Sequence, residues 1–437
     1  MTHTTAELMQ FLADNDIKFI RLAFCDIFGA QKNIAIMAQQ LPHAVECGVS
    51  FDASAITGFG NVVESDLFLF PDLNTFSILP WRPSESGVGR FFCNIRYPDG
   101  RPFEGDGRYL LDSLERQAAR EGYSFLVGPE CEFYLFETDS QGRPTRIPFD
   151  QAGYFDVAPA DRGENVRRQI CLVLEEMDVR PERSHHEQGP GQNEIDFRCA
   201  SPLSSADNLM ALRTAVKATA QENGLYASFL PKPLEDKSGS GLHINLSLFQ
   251  NGKNLFEGFS SCPQPQAAAF LAGILRRAPE LTAFANPLPG SYRRLGSFEA
   301  PDSVCWSLQN RSSLIRVPAA SGSDCRMELR SPDPACNPYI TVALLLAAGF
   351  EGVLERLPLP APVNGDLFAA GRPEGMARLP RTLGEALDIA QESGFVRRVL
   401  PEKLLANYLA AKRREFSAYV QSGDCGQYEL EHYFDRI

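Results

Sequence analysis

Alternating polar and apolar residues mark four segments of the chain as β-strands that carry polar side chains on one face. Side chains at positions i and i+2 of a strand share a face, about 6.5–7 Å apart. In the segment 128–136, Glu130, Glu132 and Tyr134 therefore share one face, while Cys131 and Phe133 share the other. The same alternation groups the polar residues of three further predicted strands: Glu194, Asp196 and Arg198; His243, Asn245 and Ser247; and Arg326, Glu328 and Arg330.

The rest of the pattern separates a β-rich N-terminal region from a mixed region that follows it. Strand-like runs at 18–24, 67–70 and 91–96 alternate with turn residues such as those at 97–100. From Gly107 onward, apolar residues recur at helical spacing. This spacing predicts helices at 110–118, 164–177, 206–222, 341–357, 383–391 and 402–419. Because predicted strands lie between the first helices, we expect a small β-rich domain followed by a larger α+β domain.

Composition and charge argue against several classes of protein. The 437 residues include 42 Lys and Arg against 55 Asp and Glu, a formal net charge of −13. Without a basic tract or basic helix, neither nucleic acid nor an anionic membrane is an expected partner. The 11 cysteines form no C-x-x-C pair, and the chain has neither a signal-peptide pattern nor a run of roughly 18 apolar residues. We therefore expect a reducing, cytoplasmic setting.

The carboxylates on the predicted strands indicate a site for divalent metal ions. A single charged strand face is usually just solvated. Four such faces, together with His185-His186-Glu187, hold several carboxylates with few lysines beside them, a density that repels itself unless cations are present. Carboxylates with an occasional imidazole suit Mg²⁺ or Mn²⁺. His243 is the stronger imidazole candidate, whereas His185 and His186 fit a structural role equally well.

A cluster of arginines adds a second chemical feature to the same part of the sequence. Their guanidinium groups match carboxylate and phosphate oxygens in pairs, so arginine in preference to lysine indicates recognition of planar anions. Metal ions beside arginines are typical of phosphoryl transfer. Because the sequence lacks a G-x-x-x-x-G-K-[ST] loop, a P-loop nucleotidase is not expected. The arginines are Arg293, Arg294, Arg311, Arg316, Arg326 and Arg330.

These motifs, in this order, resemble the glutamine synthetase family, specifically its shorter bacterial type I members, almost from end to end. The resemblance implies a β-grasp domain at 1–103 and a catalytic domain at 104–437 that binds ATP and glutamate on an antiparallel sheet lined by metal ligands and flanked by helices. It also implies a dodecamer of two stacked hexameric rings with active sites between subunits. The matching stretches include FDASAITGF, VESDLFLFPD, GPECEF, GYFDVAPAD, HHEQGPGQNEIDF, PKPLEDKSGSGLHINLSL, NPLPGSYRRL, FEAP, NRSSLIRVP and RMELRSPDPACNPY.

Carried over residue by residue, the resemblance assigns roles to fifteen positions. It implies two metal sites, one held by Glu132, Glu187 and Glu194 and the other by Glu130, His243 and Glu328. It implies glutamate contacts from Arg294, Arg330 and Gly239, phosphate contacts from Arg311 and Arg316, and a nucleotide contact from Ser247. Arg311 is also implied to act in catalysis. Ammonium would be bound and deprotonated by Asp52 of an adjacent subunit, Tyr154 and Glu299.

The implied reaction has two steps. ATP phosphorylates the glutamate side chain, and the amine then displaces phosphate from the acyl phosphate. Asp52 and Glu299 act as bases because ammonium must lose a proton before it can attack. A flap around 298–301 is expected to keep water from the intermediate.

Departures from the family pattern lie at the substrate end and leave alternatives open. Ala55 replaces a serine associated with the ammonium pocket, and the flap at 296–301 is one residue shorter than usual. A lost hydroxyl would favour an amine with an apolar substituent, so a γ-glutamyl ligase for alkylamines or polyamines is the main alternative to glutamine synthesis. A catalytically silent structural or regulatory homologue is a third hypothesis, but it predicts damaged metal ligands, and all six positions are intact.

Overall fold

The computed structural model describes residues 4–60 and 65–437. Val63 and Glu64, which open the VESDLFLFPD motif, lie outside the described residues. The N-terminal elements are α1 (Thr5–Asp14), β1 (Ile17–Cys25), β2 (Gln31–Met37), α2 (Leu41–Cys47), β3 (Val49–Asp52), β4 (Asp66–Pro71), β5 (Ser77–Ile78) and β6 (Gly87–Arg96).

The six N-terminal strands form one sheet in the order β2-β1-β6-β4-β3, with β5 also paired to β6. The pair β1 and β6 is parallel and the other neighbours are antiparallel. The buried residues of β1 and β6, among them Ile20, Leu22 and Phe91, form the core of this region. The strand-like runs predicted at 18–24, 67–70 and 91–96 all lie within these strands.

The second sheet has ten strands and carries the charged faces. Its main path is β14-β15-β16-β12-β7-β10-β9, with β8 and β11 paired to β7 and β13 paired to β12. Its neighbours are antiparallel except for the parallel pair β14 and β15. The strands are β7 (Tyr123–Thr138), β8 (Pro144–Pro148), β9 (Pro181–His186), β10 (Gln192–Phe197), β11 (Leu225–Ser228), β12 (Leu242–Gln250), β13 (Lys253–Asn254), β14 (Trp306–Leu308), β15 (Ile315–Val317) and β16 (Met327–Leu329).

Helices cover the apolar face of this sheet. The chain alternates strands and helices, and the six helices predicted from apolar spacing are all present, with ends within a few residues of expectation. The helices are α3 (Gly107–Arg120), α4 (Glu164–Glu176), α5 (Pro202–Glu222), α6 (Pro265–Ala285), α7 (Ser291–Arg294), α8 (Pro338–Glu355), α9 (Leu367–Ala370), α10 (Leu383–Glu392), α11 (Gly394–Val399), α12 (Glu402–Ser422) and α13 (Cys425–Glu429).

Helices α6 and α8 pack unusually closely in the core. A Cβ atom at Gly352 would lie 2.1 Å from the backbone oxygen of Ala269, and one at Gly273 would lie 2.2 Å from that of Ala348. These glycines therefore allow the two helix backbones to touch. Among the described residues, α8 is the one helix long and apolar enough to cross a membrane, but 72% of that stretch is buried inside the fold. Its apolar character is thus that of a core helix.

The mixed α+β class and the N-terminal β domain agree with expectation. The predicted division at 103/104 falls between β6 and α3, where Asp106 caps α3 through the Arg108 amide. Its exact position stays a prediction. Helix α6 was not predicted; it continues through Pro279, and a proline inside an apolar pattern normally indicates the end of a helix.

Candidate active site

A cavity of about 520 Å³ opens over the polar face of the ten-stranded sheet. Three central strands supply its floor, and their register decides which charges meet. Glu132 lies opposite Glu194 across β7 and β10, and Glu130 lies opposite both Asp196 on β10 and His243 on β12. Directly opposed residues have Cβ atoms about 4.5–5.5 Å apart. The alternation noted in the sequence therefore becomes a two-dimensional patch of carboxylates.

Glu194 is shared by two of the groups that could hold a metal ion. Ligand atoms of Glu132, Glu194 and His243 lie within 4.8 Å of one another, and so do those of His185, Glu187 and Glu194. The predicted trio Glu132, Glu187 and Glu194 is thus spread over two overlapping groups. His185 lies between two carboxylates, with Nε2 3.3 Å from Glu194 Oε1 and Nδ1 3.6 Å from Glu187 Oε1. His185 is therefore a candidate ligand that the sequence left undecided.

Crowding of negative charge perturbs these carboxyl groups. Burial, followed by the charge of Glu132, raises the pKa of Glu187 to about 8. Burial and the charge of Asp196 raise the pKa of Glu194 well above its ordinary value. Asp196 Oδ1 is buried without a hydrogen-bond partner among the described residues. Such a set of oxygens favours a cation, because a bound ion would relieve both the repulsion and the unmet hydrogen bonding.

The second predicted metal trio forms a single group. Ligand atoms of Glu130, His243 and Glu328 lie within 4.8 Å of one another, with His243 Nδ1 3.4 Å from Glu130 Oε2 and 3.8 Å from Glu328 Oε1. Burial opposes ionisation of Glu130, but hydrogen bonds with His243 and Asn245 outweigh it and lower the pKa of Glu130 to about 2. The Glu130 carboxylate is therefore held in its ionised form by these two hydrogen bonds.

Two arginines already accompany the deepest carboxylate of that trio. Glu328 is 1% exposed; its Oε2 accepts from Arg316 Nε at 2.7 Å, and its Oε1 accepts from Arg330 Nη1 at 2.5 Å. Burial would raise the pKa of Glu328, but Arg330 and His243 lower it below the ordinary value. Arg316 and Arg330 therefore reach the cavity from beside a metal-ligand candidate, where an anion and a cation could be held together.

The other predicted arginines divide between the cavity and the outside. Arg294 and Arg311 line the cavity, and Arg294 is buried, with Nη1 donating to the backbone oxygens of Ser331 and Pro332. Arg326 lines it too and donates from Nε to Asn245 Oδ1 at 2.8 Å. Arg293 instead pairs with Glu429 on α13, and Arg198 is exposed. The charge pattern alone could not distinguish these two from the rest.

Gly239 and Gln192 shape the end of the cavity that contains the motif 238–243. A Cβ atom at Gly239 would lie 2.2 Å from the backbone oxygen of Pro231, so only glycine fits there. Gln192 Nε2 donates to Glu132 Oε2 at 2.9 Å and to the backbone oxygen of Gly239 at 3.2 Å. Gln192 was not among the predicted site residues, although it shares a strand face with Glu194 two positions later.

The remaining predicted residues differ in location. Tyr154 and Glu299 line the cavity, and the Tyr154 ring stacks on Phe155 with centroids 4.0 Å apart. Ser247 lies outside the lining and donates from Oγ to the backbone oxygen of Cys325 at 3.0 Å. Asp52 is exposed at the end of β3, where it accepts from the Ser54 amide, and does not line the cavity of its own chain.

Comparisons with known proteins agree with this geometry. Residues 16–98 match the family model for the glutamine synthetase β-grasp domain, and residues 104–433 match that for the glutamine synthetase catalytic domain. Glutamine synthetase from Clostridium saccharobutylicum is 45% identical over 441 residues, covering 99% of each chain. Glutamine synthetase from Thermus thermophilus is 41% identical, again with 99% of each chain covered.

Solved structures show the same fold. The chain of a GmaS/ADP complex superposes with a TM-score of 0.87 at 29% identity, covering 96% of this chain and 97% of that one. Plasmodium falciparum glutamine synthetase superposes with a TM-score of 0.87 at 23% identity over 99% of each chain, a likeness of fold.

Proposed function

The chain belongs to the glutamine synthetase family, and from this membership we propose that it joins glutamate and ammonium with ATP to form glutamine. The observation that carries the proposal is the meeting of two opposite sets of charge in one cavity. Carboxylates of β7 and β10 line one cavity of about 520 Å³ together with Arg316 on β15 and Arg330, which directly follows β16. Cations for phosphate groups and arginines for carboxylates are what a glutamate-phosphorylating enzyme requires.

Divalent ions, Mg²⁺ or Mn²⁺, are part of this proposal. The donor set fits them, since it consists of carboxylate oxygens and imidazole nitrogens, and burial among other carboxylates raises the pKa values of Glu187 and Glu194. When bound, such ions neutralise charge on phosphate and carboxylate oxygens. One site would be held by Glu132, Glu187 and Glu194, with His185 between the latter two, and the other by Glu130, His243 and Glu328.

In the first step, an oxygen of the glutamate side chain attacks the terminal phosphorus of ATP and the bond to ADP breaks. Arg311 and Arg316, which both line the cavity, contact the phosphates. Arg294 and Arg330 hold the substrate carboxylates beside Gly239. The product of this step is γ-glutamyl phosphate, whose phosphate is a far better leaving group than a carboxylate oxygen.

In the second step, ammonium loses a proton, its nitrogen attacks the γ-carbon, and the bond to phosphate breaks while a second proton leaves the nitrogen, which gives the amide of glutamine. Glu299 is available for this proton, as its side chain is 43% exposed and only loosely paired with Arg330 at 3.8 Å. Tyr154 lies at the same mouth of the cavity. Asp52 would come from an adjacent subunit, because it does not line its own chain's cavity.

That arrangement supports an assembly in which active sites lie between subunits. The glutamine synthetase family is oligomeric, and we propose the dodecamer of two hexameric rings for this chain, located in the cytoplasm. Mass photometry of the purified protein tests the assembly, with twelve copies expected and a monomer as the contradicting result.

The two rival hypotheses are not favoured. Full-length relatives at 40–45% identity are glutamine synthetases, which supports ammonium over a larger amine and an active enzyme over a silent one. Ser247, on β12, remains the proposed nucleotide contact.

Phosphate release from ATP with Mg²⁺ and glutamate tests the proposal directly. The assay compares no amine, ammonium, and a panel of alkylamines and polyamines, with products identified by mass. We expect release that depends on ammonium and yields glutamine. The surface variant Glu355→Gln, remote from the cavity on α8, should behave like the unchanged enzyme. Release that requires a larger amine would overturn the proposal in favour of a γ-glutamyl amine ligase.

A further inference from the structure

A tight turn at residues 296–301 lies at the mouth of the cavity. The Gly296 amide donates to the Ala300 oxygen at 2.7 Å, and the Ala300 amide donates back to the Ser297 oxygen at 3.0 Å. The two residues at its tip, Phe298 and Glu299, have φ values of 47° and 63°. Residues with a side chain adopt this left-handed conformation only when surrounding contacts hold them there.

Two contacts hold the tip from opposite sides. The Phe298 ring lies over Lys232, with Nζ 4.5 Å from the ring centroid, and Arg330 Nη2 donates to the Glu299 backbone oxygen at 3.3 Å. Phe298 is nevertheless 52% exposed, so burial alone does not fix its ring. Lys232 therefore holds the side chain of Phe298, whereas Arg330 holds Glu299 through its backbone oxygen and, at 3.8 Å, its side chain.

Lys232 extends this attachment to the other wall of the cavity. It is 7% exposed, and its Nζ also donates to the backbone oxygen of Lys237. Lys237 directly precedes Ser238 and Gly239, which line the cavity together with Phe298. One ammonium group thus joins the turn to the segment that carries the glutamate-binding glycine. We call this pair, Phe298 and Lys232, the latch.

Exclusion of water by the flap at 298–301 is already implied by the family resemblance; we propose that the latch is what holds this turn in place over the γ-glutamyl phosphate. This inference rests on the proposed function. If the turn opens, the oxygen of a water molecule bonds to the γ-carbon, the bond from that carbon to the phosphate breaks, and a proton passes to solvent. Glutamate and phosphate result, so ATP is hydrolysed and no glutamine is formed. Phe298 and Lys232 act through the turn and are positioning residues.

Hydrogen exchange of the full-length protein tests the latch without reference to the reaction. Phe298→Leu removes the ring face and Lys232→Met removes the cation while keeping a similar chain. We expect each variant to speed amide exchange in the 296–300 peptide by about 2- to 30-fold, the range of a cation–π contact. The double variant should be no faster than the faster single one. Phe298→Tyr keeps the ring face and should exchange like the unchanged protein.

The ratio of phosphate released to glutamine formed tests the consequence for the reaction. In the unchanged enzyme this ratio should be one. At saturating ammonium, Phe298→Leu and Lys232→Met should raise it at least about threefold, whereas Phe298→Tyr, which keeps the ring face, should leave it at one. Phe11→Leu, which alters an exposed aromatic residue of α1, is the matched control and should leave the ratio at one.

Unchanged exchange in both variants, or faster exchange in only one of them, would overturn the latch. So would a loss of rate with the ratio still at one. Glutamine formation by the unchanged enzyme tests the proposed function separately, whereas exchange at the turn reports on the latch whatever the reaction, so either can fail alone.

Discussion

Two clusters of buried charge in this chain are built on opposite principles. At the start of α3, the Arg108 guanidinium donates to Asp207 at 2.9 Å, to Asp72 at 2.8 Å and to Asn94 at 2.8 Å. In the cavity, by contrast, Glu187 and Glu194 face other carboxylates, and their pKa values are raised. The carboxylates of the first cluster are paired within the chain, whereas those of the second leave their charge for something from outside.

The difference separates a structural role from a functional one. The Arg108 cluster joins the N-terminal sheet, through Asp72 and Asn94, to α5, through Asp207, and therefore fixes how the two regions dock. A buried pair of this kind is costly to break, because the remaining partner keeps its charge. The cavity cluster works against the fold when empty, and binding of cations would turn that repulsion into substrate affinity.

The largest expected effect comes from removing a cavity carboxylate. Glu132→Gln should lower kcat/KM for ATP by between about 10³- and 10⁵-fold, since a metal ligand supports several kcal/mol of transition-state stabilisation. Without metal, the same variant should unfold at an equal or higher temperature, because one repelling charge is gone. Glu137→Gln alters the same strand beyond the site and should keep full activity. Steady-state kinetics measures the loss of activity, and thermal unfolding of the metal-free protein measures the change in stability. A destabilised metal-free Glu132→Gln would contradict the comparison.

Breaking the Arg108 cluster should affect stability instead. Arg108→Met leaves Asp207 buried without its cation and should lower the free energy of unfolding by about 3–4 kcal/mol. Arg116→Met on the same helix removes only a surface pair with Asp112 and should cost about 0.5 kcal/mol or less. Denaturant unfolding monitored by circular dichroism measures both. Equal losses of unfolding free energy in the two variants would show that the Arg108 cluster stabilises the fold no more than a surface ion pair does.

The strand faces could be predicted because a period of two residues fixes them regardless of tertiary structure. Glu130, Glu132, Glu194 and His243 reach the cavity for that reason, and Gln192 could have been found by extending the same face by one step. The partners of the arginines could not be predicted from the sequence. Arg293 turns away because Glu429 lies beside it, and a contact between residues so far apart in sequence leaves no local pattern.

The stability of the metal-free protein should depend on pH, with a smaller effect whose direction follows from the pKa of Glu187. The folded pKa of Glu187, about 8, lies above its ordinary value of 4.5. The folded protein therefore keeps a proton that the unfolded chain releases, and this contribution to stability is lost as pH rises from about 4.5 to about 8. We expect the metal-free protein to unfold several degrees lower at pH 8.5 than at pH 6, and Mg²⁺ to raise the unfolding temperature more at pH 8.5.

Scanning fluorimetry of the metal-free protein at both pH values, with and without Mg²⁺, measures this effect. Glu187→Gln cannot titrate at that position, so it should show a weaker dependence on pH. A stabilisation by Mg²⁺ that is larger at pH 6 would contradict the sign.

The smallest expected effect concerns a third cluster of buried charge. It resembles a metal site, but, like the Arg108 cluster, its charged groups are paired within the chain. Ligand atoms of Asp150, Asp161 and His186 lie within 4.8 Å of one another, yet the protein itself satisfies them. Asp161 pairs with Arg167 at 2.5 Å, and Asp150 Oδ1 accepts from the Gly191 amide at 2.9 Å and from His186 Nε2 at 2.9 Å. His186 Nδ1 donates to a backbone oxygen at 2.7 Å, so both ring nitrogens are engaged.

Proximity of ligand atoms therefore does not by itself define a metal site, because Asp150, Asp161 and His186 lie close together but are already paired within the chain. Asp161→Asn should leave the number of Mn²⁺ ions bound per chain unchanged, even if the broken pair with Arg167 lowers the unfolding temperature. Glu194→Gln, in the cluster with raised carboxyl pKa values, should lower that number or weaken binding at least tenfold. Equilibrium dialysis with Mn²⁺ distinguishes the two. Loss of an ion in Asp161→Asn would show that the third cluster binds metal, and would contradict the claim that its charged groups are satisfied within the chain.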